Sequence, residues 1–344
     1  MDRIMQPNEQ LELFQQQSQQ KPLSRRDFLR VLTIAGTAGA GCAAAAFGGI
    51  ALTRHQRSEV AALVTDGLKK LPKRKLGTRL GGMMVTPICI SSDWNPELLA
   101  SALDVGINFI HKAGYWRRMP DEIKPLPRDS YYTDITVDST PNNPDDFDRA
   151  YNQVTSALDR TGLRYFDIMR AHFGWHSVDA FKNQTGTYRA FQRLKREGKV
   201  RYFGVSQHAN MHDNPYPSYP EIIQAEIDSG IIDSMQLWFS YGFPKDVEAI
   251  FAKASKAGIG MTAMKTFAYG GGQMRNDPAR MAQLKADGMP GRACIRHVLT
   301  TRRPDGKPIF QTCVSAIGNM QVFEENVGGA SQAVALRDGF PLFA

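Results

Sequence analysis

The 344-residue sequence has few cysteines, and no two of the four stand at a spacing typical of a zinc site or a redox-active pair. They are Cys42, Cys89, Cys294 and Cys313. Cys89 and Cys313 fall in apolar runs typical of strands, where a thiol packs as a small hydrophobic group. We therefore expect no disulfide framework.

An excess of positive over negative charge is largely confined to a single segment. The formal net charge is +8, and eight Lys and Arg residues against two acids between Arg54 and Arg79 supply +6 of it. No aromatic residue alternates with these cations, so we expect no nucleic-acid partner. Residues 54–75 are interpreted as a solvated basic linker that anionic lipid would attract.

Charged residues are absent from the stretch Val31–Thr53, which is rich in alanine and glycine. It directly follows Ser24–Arg30, which reads Ser-Arg-Arg-Asp-Phe-Leu-Arg. Paired arginines before a weakly apolar stretch resemble a twin-arginine export signal. We expect residues 1–53 to be this signal or a retained membrane anchor, because a run of 23 residues also suffices to span a bilayer. The twin-arginine export machinery would then be a partner, and the protein would be periplasmic or membrane-anchored outside the cytoplasm.

From Leu76 onward, short β-branched or aromatic runs alternate with helical stretches, which is typical of a parallel α/β fold. The predicted strands are Val85–Ile90, Ile107–His111, Tyr131–Val137, Phe166–His172, Val200–Ser206, Met235–Phe239, Gly260–Lys265 and Thr312–Ile317. The predicted helices are Pro96–Asp104, Asp145–Thr161, Ser177–Arg196, Tyr219–Ser229, Lys245–Ala257, Arg292–Thr301 and Met320–Ala335. No glycine-rich phosphate loop follows the first strand, so residues 76–344 predict a (β/α)8 TIM barrel rather than an open sheet. A small hairpin over Leu76–Met83 would close the barrel bottom.

Active sites of such barrels form at the carboxyl ends of the strands. The polar residues predicted there are His111, Tyr115, His172, Ser206, Gln207, His208, Gln236, Lys265 and Ser315. Position alone therefore predicts a polar ring on one face of the barrel.

Five segments, taken in order along the chain, resemble motifs of the aldo-keto reductase family. They are Ala102–Phe109, Leu163–Asp167 with His172, Gly198–Ser206, Ala263–Lys265 and Glu324–Asn326. The resemblance implies reduction of a carbonyl, or oxidation of an alcohol, with a nicotinamide cofactor, NAD(P)H. His172 matches the family histidine that orients the substrate.

The other catalytic positions of that family are only partly kept. A tyrosine donates the proton there, tuned by a lysine and an aspartate. His111 stands at the aspartate position, Trp116 at the tyrosine position with Tyr115 one residue earlier, and Thr136 near the lysine position. A phenol with a pKa of about 10 needs a nearby cation to give up its proton near neutrality. The resemblance thus leaves Tyr115 or His111 as the proton donor. The lysine and carboxylate that activate the phenol in the family are missing. Only Lys112 or a protonated His111 could lower the pKa of the phenol.

The positions that bind the nucleotide are better matched. The resemblance assigns cofactor binding to Ser206, Gln207, Gln236, Met264, Lys265, Glu325 and Asn326. Val322 stands where the family arginine would clamp a 2′-phosphate, so a strong preference for NADP is not expected.

Two other functions stay open. The missing lysine and aspartate also fit a barrel that has lost hydride chemistry and acts as a binding or partner protein. A metal enzyme would need ligands from the mouth, where the candidates are His111, His172, His176, His208 and His212. No carboxylate-flanked histidine pair supports such a centre, so no metal is expected. The sequence does not identify the carbonyl or alcohol substrate.

Overall fold

The computed structural model describes most of the chain from Lys70 onward. The described residues are 70–91, 94–138, 147–172, 174–175, 177–183, 185–207, 219–243, 245–267, 278–286, 291–314, 317 and 319–337. The twin-arginine segment and the linker up to residue 69 lie outside them. So do Cys42, His176, His208, His212 and Ser315.

Ten strands are described, in two sheets. They are β1 (Arg74–Lys75), β2 (Met84–Val85), β3 (Ile90–Ser91), β4 (Phe109–His111), β5 (Tyr132–Asp138), β6 (Phe166–His172), β7 (Val200–Gln207), β8 (Ser234–Trp238), β9 (Gly260–Met264) and β10 (Thr312–Cys313). Strands β3 to β10 follow one another in space as they do in sequence, and every neighbouring pair is parallel.

The first and last strands of this sheet meet. Ile88, just before β3, forms a parallel bridge with Cys313 of β10. The Cys89 amide donates to the Cys313 carbonyl at 3.0 Å, and the Cys313 amide donates to the Pro87 carbonyl at 2.9 Å. The eight parallel strands therefore curl into the (β/α)8 barrel that the sequence predicted. Cys89, Cys294 and Cys313 are buried, and none of them forms a disulfide in the described part of the chain.

Helices follow the strands around the barrel. They are α1 (Pro96–Asp104), α2 (Phe147–Thr161), α3 (Val178–Asn183), α4 (Thr185–Arg196), α5 (Tyr219–Ser229), α6 (Lys245–Lys256), α7 (Pro278–Ala286), α8 (Gly291–Thr300) and α9 (Met320–Arg337). The helices differ from the prediction twice: the predicted helix Ser177–Arg196 is two helices, and α7 was not predicted. Among the strands, the predicted Val85–Ile90 is divided between β2 and β3. None of the described helices is long and apolar enough to cross a membrane.

A hairpin covers the amino-terminal end of the barrel, as the sequence predicted. Strands β1 and β2 pair antiparallel, so residues 74–75 of the expected linker are built into it. The buried side chains of Leu76 and Leu80 pack on Phe109 and Ile168 inside the barrel. Gly77 has φ +63°, and a Cβ there would lie 2.6 Å from the Gly258 carbonyl oxygen, so glycine is required for this close approach. With this end closed by apolar side chains, the open end is the carboxyl end of the strands.

Candidate active site

Three polar side chains from neighbouring strands meet inside the barrel. His111 ends β4, Asp134 lies in β5 and Arg170 lies in β6. The His111 Nδ1 atom is 3.0 Å from Asp134 Oδ1, and Arg170 Nε donates to Asp134 Oδ2 at 2.8 Å. The Lys112 amide also donates to Asp134 Oδ1 at 2.6 Å, so this carboxylate is held by three neighbours.

These contacts keep Asp134 charged although it is buried. Burial by itself would raise the pKa of the carboxyl. The charges of His111 and Arg170 and the hydrogen bonds from His111 and the Lys112 amide outweigh that effect, so the pKa of Asp134 lies well below its ordinary value. Arg170 is fully buried, and its Nη1 donates to Ser234 Oγ at 3.0 Å. The interior of the barrel therefore holds a fixed carboxylate beside a fixed guanidinium.

Gln236 of β8 meets the other side of the His111 ring. Its Nε2 lies 3.3 Å from His111 Nε2 and 3.5 Å from Met264 Sδ. An amide nitrogen donates, so this contact assigns the proton of a neutral His111 ring to Nδ1, facing Asp134. Gln236 Oε1 is buried and has no hydrogen-bond partner among the described residues.

A second histidine is paired with a carboxylate at the rim. His172, the last residue of β6, has its Nδ1 3.0 Å from Oδ1 of Asp138, the last residue of β5. Gln153 of α2 accepts from the Asp138 amide at 2.9 Å and so fixes the end of β5. Burial lowers the pKa of His172 more than the Asp138 carboxylate raises it. The imidazole is therefore neutral near pH 7, with its position set by Asp138.

Tyr115 lies in a short 3₁₀ turn after β4 and is 49% exposed. The Thr136 hydroxyl donates to its hydroxyl oxygen at 3.1 Å, so Tyr115 reaches the position where the resemblance places the lysine. Burial raises the pKa of Tyr115, and the charges of Asp138 and Asp134 raise it further. The hydrogen bond from Thr136 opposes this shift but does not reverse it. The phenol is accordingly not acidified.

A cavity of about 520 Å³ opens beside Tyr115. One wall is formed by Tyr115, Thr136 and Asp138, and the other by polar side chains of α2 that include Arg149 and Gln153. This volume is in the range of small-molecule sites. The space next to the phenol is thus large enough for a substrate of modest size.

The predicted cofactor residues Ser206 and Gln207 point to opposite sides of β7, as neighbours in a strand do. Ser206 Oγ lies 3.9 Å from Met264 Sδ inside the barrel. Gln207 Nε2 instead donates to Glu226 Oε1 of α5 at 2.5 Å, outside the barrel wall. The structure therefore brings Ser206, Gln236 and Met264 together and places Gln207 behind them.

The remaining predicted cofactor residues lie elsewhere on the mouth and on α9. Lys265 follows β9 with φ +53°, and its Nζ is 4.7 Å from the centre of the Trp238 ring. Burial and the charge of Lys112 lower the pKa of Lys265. Asn326 is fully buried, whereas Glu325 beside it in α9 is partly exposed.

The metal alternative rested on histidines that the structure describes only in part. His111 and His172 are each held by a carboxylate through Nδ1. Within the described residues, no group of three or more His, Cys, Asp or Glu side chains is arranged to hold a metal ion.

The fold and the site together define a (β/α)8 barrel whose mouth carries two histidine–carboxylate pairs, a tyrosine and a buried amide. The model of the Aldo/keto reductase family matches residues 80–288. The chain therefore belongs to the aldo-keto reductase family and is an oxidoreductase of that type, with the family's catalytic set incomplete.

Solved structures agree on the fold. A putative aldo-keto reductase from Pseudomonas aeruginosa is 18% identical over 78% of this chain and 98% of its own, with a TM-score of 0.55. The holo form of the aldo-keto reductase AKR11C1 from Bacillus halodurans is 16% identical over 77% of this chain and 96% of its own, with a TM-score of 0.56. No curated protein is a significant match to the chain.

Sequence reasoning missed the carboxylates of this site. It expected none near Tyr115, yet Asp134 and Asp138 both reach the mouth from β5. Together with Thr136 they put polar residues at every second position of one strand, which places them on one face. That alternation in an otherwise apolar barrel strand was the available signal.

Proposed function

We propose that the protein is an exported oxidoreductase that interconverts a carbonyl compound and its alcohol in the barrel mouth, using a nicotinamide nucleotide. The observation that carries this proposal is the buried amide of Gln236. It contacts His111 on one side and presents an unpaired acceptor, Oε1, on the other. Its position matches the family residue that holds the nicotinamide.

The donors and acceptors around Gln236 fit a carboxamide. A carboxamide has two N–H donors and one acceptor oxygen, so it complements the Gln236 Oε1 atom and the Ser206 hydroxyl. Met264, in contact with both, offers an apolar surface for an aromatic ring. When bound, the nucleotide supplies or accepts hydride. The absence of an arginine at Val322 favours use of NADH at least as readily as NADPH.

Tyr115 is the group best placed to contact a substrate. Tyr115 lines the cavity and is 49% exposed, whereas His111 is only 3% exposed. We assign the proton that a reduced carbonyl oxygen takes up to the Tyr115 hydroxyl, with Thr136 fixing the orientation of that hydroxyl. The raised pKa keeps the phenol protonated at neutral pH, so the proton is present, but the shift makes its release harder rather than easier. His172, held neutral and oriented by Asp138, would position the carbonyl oxygen.

His111 then acts from behind the mouth. It links the Asp134 carboxylate to Gln236 through its two ring nitrogens. In that role it positions the amide rather than contacting the substrate.

Export rests on the sequence alone. The paired Arg25 and Arg26 before an uncharged stretch support the twin-arginine route, which carries folded proteins with their cofactors. In a bacterial host, a variant with both Arg25→Lys and Arg26→Lys should stay in the cytoplasm, while Arg30→Lys should not change localisation. Equal localisation of both variants would contradict the export signal.

The decisive experiment is a fluorescence titration of full-length protein with NADH and NADPH in parallel. We expect saturable binding of NADH, weakened at least fivefold in Gln236→Leu. The matched control is Gln224→Leu, because Gln224 is an exposed amide of α5 that contacts only Asp228 among described partners. If Gln236→Leu and Gln224→Leu weaken NADH binding equally, Gln236 has no specific role in holding the nucleotide.

A screen of carbonyl compounds then tests the chemistry. Tyr115→Phe should lower turnover by about 100-fold or more, the usual contribution of a positioned proton donor, while NADH affinity stays unchanged. Failure of a folded protein to bind either nucleotide would refute the redox function. The barrel would then be a binding or partner protein. The threonine at position 136, near the place where the resemblance expects the catalytic lysine, also fits that function.

A further inference from the structure

The amino-terminal end of the barrel carries a second cavity, of about 480 Å³, far along the strands from the mouth. It lies between the β1–β2 hairpin, the end of α6 and a tight hairpin after α8. Six of its lining residues are cationic: Arg74, Lys75, Lys256, Arg302, Arg303 and Lys307. No acidic residue lines it.

Most of these cations form no ion pair with a carboxylate of the described residues, although the charge of Asp305 also acts on Lys307. Arg303 pairs with Asp305 at 2.6 Å. Lys75, Lys256, Arg302 and Lys307 are exposed, and none forms an ion pair with a carboxylate of the described residues. Cations that face one cavity repel one another, and an anion bound between them relieves that repulsion.

The hairpin holds three of the cations in a fixed arrangement. The Arg303 amide donates to the Lys307 carbonyl at 2.8 Å, and the Ile309 amide donates to the Thr301 carbonyl at 2.9 Å. Gly306 turns the chain with φ +77°, and Arg302 Nη1 donates to its carbonyl oxygen at 2.7 Å. A rigid support of this kind reduces the entropy lost when a ligand binds.

The helix dipole explains only part of this charge. Cations are favoured at helix carboxyl ends, and Lys256 is the last residue of α6. Lys75 belongs to a strand, and Arg302 and Lys307 belong to the hairpin, so they lie outside any helix. Their convergence on the cavity therefore needs another reason.

We propose that this basic cavity binds an anion carrying two or more phosphate groups. A phosphate monoester carries nearly two negative charges and three acceptor oxygens, so one carboxylate would leave most of the cations unmatched. Arginine adds paired donors that fit phosphate oxygens, and lysine adds point charges. The ligand is a soluble oligophosphate or the phosphate headgroups of anionic lipid, and the site is independent of the redox site in the mouth.

The test uses full-length protein and two probes. Binding of inorganic pyrophosphate is measured by calorimetry in nonionic detergent, and binding to lipid vesicles is measured by co-sedimentation after the detergent has been removed. The variant is Lys256→Gln with Lys307→Gln, because both side chains are exposed and neither makes a described hydrogen bond. The control is Lys124→Gln with Lys182→Gln, which removes the same charge from exposed lysines outside the cavity.

We expect pyrophosphate to bind one to one, at least tenfold more weakly to the cavity variant and within twofold to the control. If lipid is the source, phosphatidylglycerol vesicles bind in preference to phosphatidylcholine vesicles, and only the cavity variant reduces that preference. The proposal is overturned if neither probe binds saturably, or if both double variants weaken binding equally. If the protein binds no nucleotide in the barrel mouth, the outcome of this test does not change, because the basic cavity shares no residue with that site.

Discussion

Glu226 makes the pH dependence of stability a direct test of the structure. It lies in α5, is fully buried, and accepts a hydrogen bond from Gln207 Nε2. Its second oxygen, Oε2, has no hydrogen-bond partner among the described residues. Burial raises the pKa of Glu226 from 4.5 to about 8, although the hydrogen bond from Gln207 opposes the shift.

The sign follows from proton binding. In the unfolded chain the carboxyl loses its proton near pH 4.5, but in the folded protein only near pH 8. Between these values the folded state holds one more proton, so the free energy of unfolding falls as the pH rises. The slope is about 1.4 kcal/mol per pH unit. From pH 5 to pH 8 the loss due to this one group is therefore about 4 kcal/mol.

Urea unfolding of Glu226→Gln at a series of pH values measures this loss. Glutamine keeps the acceptor for Gln207 and has no proton to lose, so the variant should match the native protein near pH 5. It should be more stable by about 4 kcal/mol at pH 8. Glu221→Gln, an exposed carboxyl of the same helix, is the matched control and should follow the native curve. Identical pH slopes for Glu226→Gln and the native protein would refute the buried protonated carboxyl.

Two further substitutions test the barrel interior and its closed end. Arg170→Met should lower the free energy of unfolding by about 3 to 5 kcal/mol, because it removes the guanidinium partner of the buried Asp134 carboxylate. The control Arg118→Met breaks only an exposed ion pair and should lower the free energy of unfolding by less than about 1 kcal/mol. Equal losses in urea unfolding would contradict this. Gly77→Ala should lower the free energy of unfolding by about 2 kcal/mol more than Gly82→Ala, a loss typical of a steric clash in the backbone. Both glycines have positive φ, but only at Gly77 does a Cβ meet backbone atoms; equal melting temperatures for the two variants would disprove that contact.

The strand pattern of the sequence was strong enough to predict the barrel. Seven of the eight parallel strands overlap their predicted runs by two or more residues, as with Phe166–His172, because buried strands are marked by apolar β-branched and aromatic residues. The predicted strand Val85–Ile90 was wrong in its bounds, since only Ile90 lies in β3 and Val85 belongs to the hairpin strand β2. The bounds and the number of helices were predicted less accurately. The break after Asn183 and the helix Pro278–Ala286 were missed, since short helices carry little hydrophobic periodicity and depend on tertiary packing.

The site was predictable only where it depends on position along a strand. The strand pattern correctly placed His111 and His172 at the carboxyl ends of strands and Tyr115 just beyond one. It did not find the partners, because contacts between strands depend on register. In this barrel Thr136 of β5 lies opposite Arg170 of β6, and a slip of one residue would turn Asp134 away from the interior.

The two departures from the family pattern are coupled in space. The resemblance to the family implies an aspartate and a lysine beside the phenol, and it aligns His111 with the first and places Thr136 near the second. Asp134 and Arg170 supply a carboxylate and a cation in contact, but buried beneath His111. This buried pair contacts the imidazole of His111 and, through it, the amide of Gln236, rather than the phenol. Under the proposed function, the raised pKa of Tyr115 keeps a proton available for reduction across the neutral range, and we expect oxidation of an alcohol, which needs the phenolate, to become faster only at higher pH.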